Sequence, residues 1–72
     1  MSAKLYNVTA STKQDGNLSI NACAGGKKEA ADFTLARLEE SGYHGSTVTN
    51  VRHIGTQGAY SYGSTLIIGE AK

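Results

Sequence analysis

Residues 17–23, NLSINAC, alternate apolar and polar side chains and place Leu18, Ile20 and Ala22 on one side of an extended chain. Residues 3–11, AKLYNVTAS, mix β-branched, aromatic and small residues with no helical repeat, so a strand is predicted there too. Between them stands Asp15-Gly16, a strong hairpin signal because Gly accepts positive φ and Asp tolerates it. The chain is therefore expected to open with an antiparallel hairpin.

Gly25-Gly26 ends that pattern, and KKEAADFTLARLEES (27–41) has the composition of one helix of about four turns, closed by Gly42 as a left-handed C-cap. No Ser, Thr, Asp or Asn precedes it as a cap. Lys27 and Lys28 at its start and Glu39 and Glu40 at its end oppose the helix dipole, so tertiary packing must hold it. At 100° per residue Ala31, Thr34, Leu35 and Leu38 share a face and Phe33 falls roughly opposite Leu35. Phe33 is then either presented to a partner or tucked under a sheet edge by rotation of the helix.

A third strand is predicted over 46–54, STVTNVRHI, where Val48, Val51 and Ile54 recur at every third position and need a β-bulge near Asn50 to share a face. GTQG (55–58) reads as a short hairpin loop and AYSYGSTLIIG (59–69) as the last strand. Tyr60, Tyr62, Ser64, Leu66 and Ile68 fall on one side of it unless Gly63 introduces a bulge. The expected fold class is α+β in two layers: ββαββ order, an antiparallel sheet and one helix packed on one face, as a single domain over 1–72.

Size and charge narrow the picture. A chain of 72 residues buries only about 60% of its unfolded surface. Leu5, Val8, Leu18, Ile20, Phe33, Leu35, Leu38, Val48, Val51, Ile54, Leu66, Ile67 and Ile68 are the strong core candidates, and a homo-oligomer or partner would supplement so thin a core. Seven Lys or Arg against six Asp or Glu give neither the basic footprint of a dedicated nucleic-acid binder nor the acidity of a DNA mimic. With Cys23 the sole cysteine, an internal disulfide is excluded and a reducing compartment fits. No 18-residue apolar run or signal-peptide pattern occurs, so a cytoplasmic location without membrane partners is expected.

Candidate chemistry is sparse. His44, His53 and Cys23 fall into no metal-ligand spacing, and no nucleophile-base pair is visible, so neither metal, cofactor nor catalysis is expected. Gly25-Gly26-Lys27-Lys28 before a helix suits either a weak anion site or a solvated capping turn; GxxxxGK[ST] is absent. Tyr60 and Tyr62, alternating beside Arg52 and His53, suit either base stacking or the rim of the core.

The ββαββ order, with the helix entering at GGKKEAADF and the third strand following GYHGSTVTNVR, resembles small phage-encoded anti-CRISPR inhibitors of the one-helix, antiparallel-sheet type. That resemblance implies a non-enzymatic inhibitor of a bacterial surveillance ribonucleoprotein, with Lys27, Lys28, Arg37 and Arg52 as the basic contacts. VRHIGTQGAYSYGSTLIIG also resembles the last hairpin of dodecins, small flavin-binding oligomers, in its Val-Arg, turn-Gly, aromatic and Leu-x-x-Gly spacing. It departs from them in its N-terminal hairpin and lack of Trp. The leading expectation is a small phage or mobile-element binding module whose polar strand face or helix edge docks on a larger protein or ribonucleoprotein, with Lys27, Lys28, Phe33, Arg37 and Arg52 as the contact candidates. The alternative is direct nucleic-acid binding by Tyr60, Tyr62, Arg52 and His53; a small-molecule-binding oligomer comes third.

Overall fold

A computed structural model describes residues 3–71. Strands β1 (Lys4–Thr12) and β2 (Gly16–Ala24), helix α1 (Lys27–Glu40), and strands β3 (Thr47–Thr56) and β4 (Thr65–Glu70) follow in that order. All pairings are antiparallel in one four-stranded sheet of order β3-β1-β2-β4, with the helix on one face. The expected α+β two-layer fold is what the chain adopts.

The opening hairpin forms as its turn signal requires. Gly16 takes φ +67°, and the Thr12 hydroxyl closes the turn by donating to the Gly16 carbonyl at 2.7 Å and accepting from the Asp15 N–H at 3.0 Å. Nine residue pairs of β1 and β2 follow without a register shift.

The last two strands, in contrast, form no hairpin. β3 and β4 lie on opposite edges of the sheet, and residues 57–64 cross the end of β1 and β2 to join them. Eight residues reach at most about 28 Å, ample for three strand spacings of about 4.8 Å. The gain is that both central strands acquire two neighbours, with Val51 opposite Val8 and Ile67 opposite Ile20. Positive φ at Gly58 and Gly63 breaks the extended run, so β4 begins only at Thr65, and Tyr60 and Tyr62 lie in the connection rather than on a strand.

The bulge needed near Asn50 is present. The β1–β3 register shifts between Thr9 and Ala10, leaving Thr49 without an opposite residue and bringing Val48 and Val51 onto the helix side. A second shift between Leu5 and Tyr6 does the same to Ile54, which is 43% exposed and so leaves the core expected of it. The shift in β4 falls at Ile68, not Gly63.

Helix α1 ends in a Schellman turn: the Tyr43 N–H donates to the Leu38 carbonyl at 2.8 Å and the Gly42 N–H to Glu39 at 3.1 Å, with Gly42 at φ +90°. Its N-cap, Gly26, makes no side-chain cap, and Glu29 takes over by accepting the Gly25 N–H at 2.8 Å. The buried face is Ala30, Thr34 and Leu38, four residues apart, rather than the expected Ala31, Thr34, Leu35 and Leu38. Leu35 is left 36% exposed because the helix is rotated to bring half-buried Phe33 onto the sheet.

The core is thin and has two parts. Tyr6, Val8, Ala22, Ala24 and Ala30 pack with Phe33, Val48 and Val51 under the first half of the helix. Ala10, Leu18, Ile20 and Leu38 pack with Tyr43 and Ile67 under the second. Alanine at 10, 22, 24 and 30 lets helix and sheet approach closely, which leaves Leu38 and Ile20 as the large space-filling side chains.

Candidate functional site

Because the helix covers only one face, strand residues of the opposite parity face away from it, Cys23 at the end of β2 being the one on β1 and β2 that is fully buried. Leu5, Asn7, Thr9, Ser11, Ser19 and Asn21 on these strands are half-buried by their neighbours. Across the pairings Arg52 stands beside Asn7, Asn50 beside Thr9, and Leu66 beside Asn21. Ile68, the bulged residue of β4, completes an apolar strip with Leu66; the two are 56% and 49% exposed. The centre of this face is a shallow depression of about 340 Å³ lined by Asn7, Thr9, Ser19, Arg52, Ile68 and Glu70.

The polar centre is preorganised. The Asn7 amide donates to the Ser19 hydroxyl at 2.7 Å and to the Asn21 side-chain oxygen at 3.1 Å, so both amide hydrogens are spent across the β1–β2 pair. Arg52 pairs with no acidic side chain among the described residues. The surface therefore offers a fixed row of amides and hydroxyls, the Arg52 guanidinium, the Glu70 carboxylate and an aliphatic strip.

Both edges of the sheet discourage strand addition. β3 carries two bulges and β4 one, while the central pairing carries none. Bulges twist an edge and interrupt its row of free N–H and C=O groups, which protects it against pairing with another chain.

The residues singled out from the sequence do not converge. Lys27 and Lys28 are exposed at the first turn of α1. Arg37 lies along the helix, where it lines a second groove of about 320 Å³ with Phe33, Ala36, Glu40, Gly63 and Thr65. Arg52 is on the free sheet face, with the whole sheet between it and the helix. Phe33 is not presented to solvent: it packs on the core, and the Tyr62 ring meets it edge-on with centroids 5.7 Å apart.

The four residues considered for nucleic acid are likewise scattered. Arg52 and His53 are neighbours of opposite parity. His53 lies on the helix side, its ring 5.5 Å from that of Tyr6 and its Nε2 2.8 Å from the Gly55 carbonyl. Tyr60 sits in a local turn whose N–H donates to Gln57, and the Tyr62 hydroxyl donates to Glu29 Oε1. No pair of parallel rings on a strand results.

Cys23 is fully buried at the end of β2, its backbone paired with Ser64 and Gly63. His44 is at the helix C-terminus, with Nδ1 2.5 Å from Glu39 Oε1. Among the described residues no three His, Cys, Asp or Glu side chains assemble as a metal set, and no helix is long and apolar enough to cross a membrane. A polar strand face was expected as one possible docking surface, but not which residues line it, because β4 was expected beside β3 rather than beside β2. The alternation of Asn7, Thr9 and Ser11 with Tyr6, Val8 and Ala10 was the signal that could have found them.

The molecule is thus a small two-layer α+β domain with one free, preorganised sheet face. No protein-family model matches the chain, and no curated protein or solved structure is significantly similar to it.

Proposed function

We propose that this chain is a non-enzymatic binding module that docks on a larger protein through its free sheet face, with Arg52 meeting an acidic group of the partner and Leu66 and Ile68 supplying apolar contact. The observation that carries this reading is the preorganised Asn7–Ser19–Asn21 row beside an unpaired Arg52, bounded by edges that resist strand addition. Inhibition of a bacterial surveillance ribonucleoprotein is one form the reading takes. On this account its basic contact is Arg52, because Lys27, Lys28 and Arg37 belong to the other layer.

Charge reversal separates the two layers. The same co-purifying chain should be captured from host lysate by the native protein and by Arg37→Glu and Lys28→Glu, and lost with Arg52→Glu. Loss with the helix variants and retention with Arg52→Glu, or no capture above background, would overturn the proposal.

A further inference from the structure

The β3–β4 connection is built like a strap. Within residues 57–60 the hydrogen bonds are internal, the Gln57 amide donating to the Tyr60 carbonyl at 2.7 Å and the Tyr60 N–H to Gln57 at 3.0 Å. Gly58 and Gly63, at φ +55° and +84°, flank it as natural pivots. The far end is sewn to β2, since the Gly63 N–H donates to the Cys23 carbonyl at 2.8 Å and the Cys23 N–H to Ser64 at 2.9 Å. Between these points one side chain fastens the strap to the helix: Tyr62, whose ring makes a T-shaped contact with that of Phe33 and whose hydroxyl donates to Glu29. The same Glu29 oxygen accepts the Gly25 N–H at 2.8 Å, so one carboxylate joins the end of β2, the start of α1 and the strap.

The geometry points to a latch: Tyr62 and Glu29 hold the β3–β4 connection closed over Phe33, and its release presents the Phe33 ring as an apolar patch continuous with the groove that runs past Arg37 to Thr65. Phe33 sits on the helix layer, so this device is separate from the free sheet face and stands or falls without it. Closed, the Phe33 ring is half-buried, with the Tyr62 ring against it. Open, the domain gains an aromatic anchor next to a free guanidinium.

Amide hydrogen exchange of the full chain at neutral pH tests the latch. Glu29→Ala does not touch Gly63, yet it should speed exchange of the Gly63 amide roughly three- to tenfold, the factor expected on losing one net hydrogen bond. Tyr62→Phe should speed both Gly63 and Gly25 similarly, while Tyr60→Phe changes neither and the Val8 and Ile20 amides keep their native protection in every variant. In Glu29→Ala a soluble paramagnetic agent should also broaden the Phe33 ring protons more than in the native chain. An unchanged Gly63 rate in Glu29→Ala, an unchanged Phe33 ring, or acceleration spread evenly over the sheet would overturn the latch.

Discussion

Thr34 is the polar side chain fully enclosed between helix and sheet, and its hydroxyl finds no partner. A buried hydroxyl without a hydrogen bond is unfavourable by about 1–3 kcal/mol relative to its satisfied state, whereas valine has nearly the same shape and no polar atom. Thr34→Val should therefore stabilise the domain by about 1 kcal/mol in urea unfolding, seen as a higher midpoint at unchanged slope. A lower midpoint would mean that the hydroxyl is satisfied in solution. Glu29 and Tyr62 shift each other in opposite directions. The Tyr62 hydroxyl, and then the Gly25 N–H, hold the Glu29 carboxyl below the ordinary glutamate range, while hydrogen bonding to Glu29, with burial second, pushes the Tyr62 phenol up. A lowered carboxyl pKa contributes stability above the unfolded value that is lost as pH falls through the folded one. A raised phenol pKa contributes below the unfolded value and is lost as pH rises through the folded one. The contact should thus persist from below the ordinary glutamate range to above the ordinary tyrosine range. An NMR titration of the Gly25 amide should show an acid inflection that moves upward in Tyr62→Phe; an inflection that stays put would contradict the bond.

At the scale of elements, the helix is held by its ends and by Leu38. Gly42 must adopt φ +90° for the Schellman turn, a conformation that costs a residue with a Cβ roughly 1–2 kcal/mol. Nothing lies within 4 Å of the added atom, so Gly42→Ala should destabilise by about that amount through backbone strain alone. Leu38→Ala removes the largest helix side chain of the second core cluster and should cost about 2–5 kcal/mol. Chemical denaturation checks both, and a Leu38→Ala loss below about 1 kcal/mol would show that the helix does not pack as described. Elements whose signal is local were legible in the sequence: Asp15-Gly16 as the hairpin turn, Gly42 as the helix stop, and the Val48/Val51 spacing as a bulge. The helix face was not, because Ala30, Phe33, Leu35 and Leu38 are spread around the axis, and the choice among them rests on the small Ala22 and Ala24 beneath. GAYSYGS has strand composition, yet its glycines turn it into a connection whose path depends on where β4 finds a partner. That pairing is between residues more than forty apart, and no local pattern encodes it.

For the whole molecule, the consequence of the β3-β1-β2-β4 order is that a single helix shields one face and leaves the other free, about 35 by 23 Å across the longer dimensions of the domain. Such a face is within the range of a small specific interface when most of it is used. It also explains why the basic residues do not act together: Arg52 and the helix cations look in opposite directions. Substitutions on the free face should leave folding intact, since Asn50, Arg52, Leu66 and Ile68 are all exposed. Leu66→Ser with Ile68→Ser should change the unfolding midpoint by less than about 1 kcal/mol equivalent while weakening partner capture; a large loss of stability would place those side chains in the core instead. The most direct measurement is site-specific photo-crosslinking in host lysate, with the reactive side chain placed in turn at Asn50 and Leu66 on the free face and at Lys28 and Leu35 on the helix. The account predicts one discrete adduct from both free-face positions and none from the helix. An adduct from Lys28 or Leu35, with the free face silent, would contradict it.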